Sequence, residues 1–147
     1  MNLPSTRDNQ RRVFLSKTDF ADSRLSPLQQ DASFRRYFCI DDGDHGCLLM
    51  DAPPETENLT TWLEIGSHLN QLGLRAPAVL RSDTDTGFAL IEDFGSRTFT
   101  RLLDAGESHE VLYTQAIDLL IHLHQHPNAL LEGLKPYDFQ ALMDEAL

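Results

Sequence analysis

A turn of small polar residues followed by two arginines is the first feature of this sequence that could do chemistry. We call it the candidate phosphate loop, and its residues are Asp31, Ala32, Ser33, Phe34, Arg35 and Arg36. Successive backbone N–H groups in such a turn can point at one anion, and guanidinium groups are good phosphate partners. The residue types are also compatible with a hairpin edge that carries two solvated arginines.

The second candidate is a connector at the end of an apolar segment, where two acidic residues precede an aromatic residue. Its residues are Glu92, Asp93 and Phe94, and Gly95 follows them. A strand that ends in a connector between two lobes can offer free backbone N–H and C=O groups to the edge of an adenine ring. A strand followed by an ordinary turn is the alternative interpretation.

Three further patterns carry less chemical information. The tripeptide Asp-Phe-Gly at 93–95 matches the magnesium motif of protein kinases, but no His-Arg-Asp loop precedes it, so we interpret the match as chance. On the predicted helix at 108–126, His122 and His126 share one face and would need further ligands to bind a metal. Two cysteines, Cys39 and Cys47, cannot form a disulfide scaffold or a zinc site alone.

Apolar segments separated by turn clusters predict the elements that position these residues. Strands are expected at 34–40, 47–50, 77–81 and 87–91. Helices are expected at 57–72, 98–103 and 108–126, with a short one at 11–18 after a frayed N-terminus and the start of another within 136–147. An antiparallel sheet with one inserted helix, followed by a helical region, is an α+β fold.

Alternation along the first predicted strand separates the two arginines of the candidate phosphate loop. Residues on one face are Arg35, Tyr37 and Cys39, and residues on the other are Phe34, Arg36, Phe38 and Ile40. The two cysteines are equally distant from Gly43 in the following turn, so they are predicted to face each other across a hairpin.

The charge balance excludes several classes of function. The 147 residues include 12 Lys and Arg against 23 Asp and Glu, which gives a formal net charge of −11. We therefore expect neither a nucleic-acid partner nor an anionic membrane surface as partner. No apolar segment approaches the roughly 18 residues of a membrane span, and the polar N-terminus is unlike a secretory signal. A cytoplasmic location is expected.

Three motifs in a fixed order resemble those of a known enzyme family. They are Asp31-Ala32-Ser33-Phe34-Arg35-Arg36-Tyr37-Phe38, Met50-Asp51-Ala52-Pro53-Pro54 and Leu90-Ile91-Glu92-Asp93-Phe94-Gly95. Their spacing is similar to that of the aminoglycoside-phosphotransferase-like kinases, and within these to the branch of N-acetylmuramate/N-acetylglucosamine anomeric kinases. The first two motifs are fairly specific to the branch, and the third is common across the superfamily.

The resemblance implies a protein-kinase-like fold with a small β-rich lobe, a hinge and a helical lobe. Its expected parts are a nucleotide-side lobe at 1–91, a hinge at 92–97 and the start of the helical lobe at 98–147. The candidate phosphate loop would lie over the ATP phosphates, and Glu92, Asp93 and Phe94 would bind adenine through backbone groups. The implied activity is ATP- and Mg²⁺-dependent phosphorylation of the anomeric hydroxyl of an amino sugar.

One departure from the family pattern concerns the cation beside the phosphates. The third strand of a kinase carries a Lys or Arg that pairs with the phosphates and with a Glu of the following helix. The matching position in this sequence is Asp51, or Met50 after a shift of one residue. Arg35 or Arg36 could supply the missing cation. Glu64 lies opposite the apolar stripe of its helix and is not assigned the partner role.

A second departure concerns the catalytic residues. The segment 96–147 contains neither the His-Gly-Asp…Asn catalytic loop nor the later Asp-containing magnesium motif of the family. We therefore expect an N-terminal fragment that is inactive alone, with no catalytic and no metal-binding residue in this chain. The apolar face of the helix at 108–126 is then expected to be exposed and to support a non-native dimer.

Two other functions stay open from the sequence. One is another small-molecule kinase of the same superfamily, with a choline-, homoserine- or aminoglycoside-like acceptor. The other is a catalytically inactive nucleotide-binding or interaction module, if the chain is naturally this short. The motifs of the small lobe cannot identify the acceptor, because acceptor contacts in this superfamily lie mostly in the helical lobe.

Overall fold

The centre of the structure is a five-stranded antiparallel sheet. A computed structural model describes residues 6–29, 33–41, 46–134, 136 and 138–146. The strands are β1 (Arg24–Pro27), β2 (Arg36–Asp41), β3 (Cys47–Asp51), β4 (Val79–Asp83) and β5 (Phe88–Glu92). They lie in the order β1-β2-β3-β5-β4, so β5 returns to the centre of the sheet beside β3.

Helices precede the sheet, interrupt it and follow it along the chain. They are α1 (Thr6–Leu15), α2 (Leu59–Gln71), α3 (Phe99–Asp104), α4 (His109–Gln125) and α5 (Phe139–Ala146). Side chains of Asn58, Thr98 and Ser108 accept hydrogen bonds from the first turns of α2, α3 and α4, which is why these helices begin there. Among the described residues, no helix is long and apolar enough to cross a membrane.

One side of the sheet is covered by α1, and we call it the α1 face. Phe14 and Leu15 from the end of α1 pack against Leu49, Phe88 and Leu90 of the two central strands. The rings of Phe14 and Phe88 are stacked with their centroids 5.6 Å apart. This cluster attaches the N-terminal helix to the middle of the sheet.

The opposite side of the sheet is covered by α2, and we call it the α2 face. Buried Leu59 and the partly buried Trp62 and Leu63 of α2 pack with Met50 of β3 and Ile91 of β5. Because neighbouring residues of a strand point to opposite faces, β5 supplies side chains to both clusters. A continuous apolar sequence in β5 is therefore explained by burial on both faces.

The structure confirms the predicted α+β class and the predicted helix between the second and third of the four predicted strands, which is α2. The four predicted strands and the helices expected at 57–72, 98–103 and 108–126 agree with the observed bounds to within two residues. No sequence pattern predicts β1, and α1 begins at Thr6, so the expectation of a frayed start is wrong for 6–10. The strand register pairs Cys39 with Leu48, so the prediction that it faces Cys47 is also wrong.

The apolar side chains of α4 are largely exposed. Leu112 is its buried residue, whereas Leu119 and Leu120 of the same predicted face are 59% and 56% exposed. The neighbouring Ile117 and Ile121 are exposed as well. The expected exposure of this helix face is therefore present in the structure.

The turn after β3 determines where α2 begins. The Ala52 N–H donates to the Gly87 carbonyl over 2.8 Å, and the N–H groups of Thr56 and Glu57 donate to the Pro53 carbonyl over 3.0 and 2.9 Å. Gly87 has φ of +70°, and a Cβ there would come within 2.0 Å of the Ala52 carbonyl oxygen. Only glycine allows this close approach of the two backbones.

We predict that Gly87→Ala lowers the free energy of unfolding by about 3 kcal/mol, because it combines a left-handed backbone with a backbone overlap. The matched control is Gly73→Ala, since Gly73 also has a positive φ of +78° but has no heavy atom within 4 Å of an added Cβ. That control should cost about 1 kcal/mol. Urea unfolding followed by the fluorescence of Trp62 measures both, and equal losses would contradict the assigned contact.

Candidate functional site

Asp51, the last residue of β3, is a fully buried carboxylate held between two guanidinium groups. Its Oδ1 accepts from Arg7 Nε over 2.7 Å and lies 2.6 Å from Arg7 Nη2. Its Oδ2 accepts from Arg36 Nη2 over 2.7 Å, and Arg36 is directly opposite Asp51 in the register of β2 and β3. Burial of this charge is tolerated because both oxygens have cationic partners.

Arg7 extends the same network to the turn between β4 and β5. Its guanidinium donates to the carbonyl oxygens of Thr86 and Gly87, the latter over 3.2 Å. It also lies 4.0 Å from the centre of the Phe88 ring, within the range of a cation–π contact. One side chain of α1 thereby joins the end of β3 to the start of β5.

The buried ion cluster lies on the α1 face, because its second cation comes from α1. Asp51 therefore projects away from α2, and the β3 residues that pack with the α2 cluster are Leu48 and the preceding Met50. The end of β3 thus presents an uncharged thioether to α2 rather than the Lys or Arg of a typical kinase. Arg36, bound to Asp51, belongs to the α1 side of the sheet.

Arg35 has a different partner on the other side of the chain. Its Nη1 lies 2.9 Å from Oε2 of Glu57, a residue of the turn that leads into α2. The other oxygen, Oε1 of Glu57, accepts from the backbone N–H of Phe34 over 3.0 Å. One carboxylate therefore binds a guanidinium and a backbone N–H of the candidate phosphate loop. The two adjacent arginines form separate ion pairs.

The structure describes only part of the candidate phosphate loop. Asp31 and Ala32 lie outside the described residues. Ser33 and Phe34 precede β2, and the Phe34 ring is 65% exposed. Two donors of the described part of the loop, the N–H of Phe34 and the guanidinium of Arg35, converge on one carboxylate, that of Glu57.

Glu92, the first residue of the candidate connector, is bound through both its backbone and its side chain. Its N–H donates to the Ala78 carbonyl over 2.8 Å, and its Oε2 accepts from the Ala78 N–H over 3.1 Å. Arg75 donates to its other oxygen. The Ala78 N–H, followed by Arg75, lowers the pKa of Glu92. This carboxylate fastens the segment before β4 to the end of β5.

Asp93 and Phe94 continue the connector beyond the sheet. The Asp93 N–H donates to the Gly46 carbonyl over 2.6 Å, and its Oδ1 accepts from the Gly95 N–H over 2.7 Å. The exposed Phe94 ring lies 4.7 Å from the Arg75 guanidinium. Asp93 thus closes a local turn with its side chain, and its own N–H is used within the protein.

His122, near the end of α4, contacts the protein backbone. His122 Nε2 lies 3.0 Å from the Leu72 carbonyl, and the rings of His122 and His126 are 6.0 Å apart. Within the part of the chain that the structure describes, no three His, Cys, Asp or Glu side chains come together as possible metal ligands. The contact of His122 instead attaches α4 to the end of α2.

Residue types and spacing pointed to Arg35 and Arg36, but not to Arg7 and Glu57, the residues that join them in these ion pairs. Glu57 had one available signal, since it directly precedes the helix cap Asn58 and acidic groups are favoured at helix starts. An acidic residue at the end of the buried strand β3 also implied a distant cation, but nothing local could identify Arg7 as that cation.

Comparisons with known proteins agree with the motifs. A model described as a phosphotransferase enzyme family matches residues 24–146. An N-acetylmuramate/N-acetylglucosamine kinase of Pseudomonas aeruginosa is 37% identical over 99 residues, covering 67% of this chain and 29% of that protein. Kinases of the same name from Caulobacter vibrioides and Neisseria meningitidis are 31% and 35% identical, covering 86% and 84% of this chain. The chain spans less than half the length of these relatives, at most 42%.

We predict that Asp51→Asn lowers the free energy of unfolding by about 3 kcal/mol, because Arg7 and Arg36 lose their shared counter-charge. The matched control is Asp104→Asn at the exposed end of α3, which should change it by less than about 0.5 kcal/mol. Urea unfolding followed by circular dichroism measures both variants. A loss at Asp51 as small as that at Asp104 would contradict a stabilising role for the buried cluster.

Proposed function

The chain belongs to the phosphotransferase enzyme family, and we propose that it contributes the nucleotide-binding side of an ATP-dependent amino-sugar kinase. The acceptor would be the anomeric hydroxyl of N-acetylmuramate or N-acetylglucosamine, in keeping with the names of the relatives. The observation that carries the proposal is the pair of loop donors, Phe34 N–H and Arg35, which already hold a carboxylate. A kinase of this kind would act in the cytoplasm, where ATP is available.

The phosphate end of the nucleotide is assigned to the candidate phosphate loop on the α2 face. A guanidinium and a backbone N–H that converge on a carboxylate also fit a phosphate oxygen, since both ligands are anionic acceptors. Arg35 is the cation proposed to bind the phosphates. Arg36 is proposed to act through Asp51, holding the start of β2 in place.

The adenine end is assigned to the hinge at 92–97, between a small lobe at 1–91 and a helical region from 98 onward. The N–H groups of Glu92 and Asp93 donate to carbonyls within the protein. Adenine recognition would therefore use the carbonyl groups of these two residues and the N–H of Phe94. The exposed Phe94 ring would provide an apolar surface beside the base.

ATP would supply the phosphoryl group, and Mg²⁺ would neutralise its charge. The described residues contain no converging set of metal ligands, so we assign the Mg²⁺ ligands and the acid that orients the acceptor to the part of the longer relatives that this chain does not span. A dimer through the exposed apolar side of α4 stays a prediction.

The reaction is tested by a kinase assay on the complete protein with N-acetylmuramate and N-acetylglucosamine. Choline and kanamycin serve as competing acceptor classes of the same superfamily. We expect ATP-dependent phosphorylation of at least one amino sugar and none of choline or kanamycin. Turnover of choline or kanamycin alone would assign a different acceptor, and no turnover of either amino sugar would refute the proposal.

The assignment of the phosphates is tested by separating the two arginines. Arg35→Gln should weaken ATP affinity about tenfold, the usual effect of losing one charge-assisted hydrogen bond. Arg36→Gln should leave ATP affinity within about twofold and instead lower the free energy of unfolding, since it leaves Asp51 underpaired. Calorimetric titration and urea unfolding give the two readouts. The reverse pattern would place the phosphates on the α1 face.

A further inference from the structure

The carboxylate of Glu57 already occupies the position where the two loop donors converge. Its Oε1 receives the Phe34 N–H at 3.0 Å, and its Oε2 receives Arg35 Nη1 at 2.9 Å. The Glu57 side chain is only 12% exposed. Both oxygens are therefore engaged, and the Phe34 N–H and the Nη1 group of Arg35 are directed at a carboxylate.

Glu57 is delivered to the loop by a different part of the chain. Its backbone N–H is fixed by the Pro53 carbonyl at 2.9 Å, in the turn that follows β3. The residue directly precedes Asn58, the cap of α2, where the helix dipole favours a negative charge. The contact therefore connects the candidate phosphate loop to the start of α2.

A carboxylate in this position could either orient Arg35 for a phosphate or compete with the phosphate for its donors. The number of N–H groups on each donor distinguishes these two roles. A guanidinium has five N–H groups and can bind a carboxylate and a phosphate together, so Glu57 could orient Arg35 without leaving it. A backbone amide has one N–H, and that of Phe34 is directed at Glu57. A phosphate can take this donor only if the carboxylate moves away, and repulsion between the two anions acts in the same direction.

We propose that the Glu57 carboxylate is an internal substitute for a phosphate group. It occupies the anion site of the loop, formed by the Phe34 N–H and Arg35, until a polyphosphate displaces it. This inference rests on the proposed nucleotide-binding function. Displacement would free Glu57 from the loop and so change the start of α2 when the nucleotide binds. The chemical class of ligand is a polyphosphate, either free or carried by a nucleoside.

The test is calorimetric titration of the full chain, as wild type and as Glu57→Gln, with adenosine, ATP and inorganic tripolyphosphate. Removing the competing charge should tighten the binding of ATP and tripolyphosphate about fivefold, while adenosine affinity should not change. Glu55→Gln is the matched control, because Glu55 lies two residues away in the same turn, is exposed, and loses the same charge. It should change each affinity by less than about 1.5-fold.

A double-variant cycle separates competition from a general charge effect. In the Arg35→Gln background, Glu57→Gln should tighten tripolyphosphate binding less than it does in the wild type, because only one of the two shared donors, the Phe34 N–H, remains. An undiminished effect would indicate a general charge effect. Glu57→Ala should tighten it at least as much as Glu57→Gln, since Ala offers no acceptor to the loop. Thermal unfolding of each variant verifies that it is folded, and the weaker substitution is used where Ala unfolds the chain.

The outcomes distinguish this inference from the proposed function. Weaker or unchanged polyphosphate binding by Glu57→Gln would overturn the substitute role and would make Glu57 a positioning residue or a purely structural one. Tighter tripolyphosphate binding without any ATP or adenosine binding would support the anion site and contradict the proposed nucleotide function. Absence of polyphosphate binding in all variants would overturn the anion site itself.

Discussion

The buried carboxylate of Asp51 is the interaction on which the rest of the small lobe depends. A charge at this depth is unfavourable unless its partners are close and complete, and Arg7 and Arg36 come from segments 44 and 15 residues away. Satisfying Asp51 therefore requires α1, β2 and β3 to be assembled together. Once they are assembled, the position of the turn after β3 is determined, and with it the position of Glu57.

The contrast between Arg35 and Arg36 follows from the geometry of an extended chain. Adjacent residues project to opposite sides, so one guanidinium reaches the buried Asp51 and the other reaches Glu57 beside α2. Two neighbouring residues of the same type thus acquire a structural and a candidate binding role. Composition alone could not separate them, whereas alternation correctly predicted that they would diverge.

Local patterns predicted most elements, and contacts between distant residues set the rest. Caps such as Ser108 predicted where helices begin, and the apolar segments of β2, β3 and β5 between turn clusters predicted the strand bounds. Strand β1 has only four residues, of which one is apolar and one is proline, so it is too short to show a periodic pattern. It is an edge strand that is stabilised by pairing with β2. The role of Arg7 could not be predicted, because its partner Asp51 lies 44 residues away.

The overall charge of −11 makes the short-range arrangement at the candidate phosphate loop decisive for binding an anion. Charges beyond about 8 Å are largely screened at physiological salt, so the acidic surface neither attracts nor strongly repels a polyphosphate over distance. Beside the loop, the positive charge of Arg35 is neutralised by the negative charge of Glu57. The Phe34 N–H becomes available to an anion only when Glu57 leaves, and in the proposed competition Glu57 leaves only for a ligand that satisfies both Arg35 and the Phe34 N–H. Selection for a phosphate over a weaker anion then arises from the competition itself, without a permanently exposed positive surface.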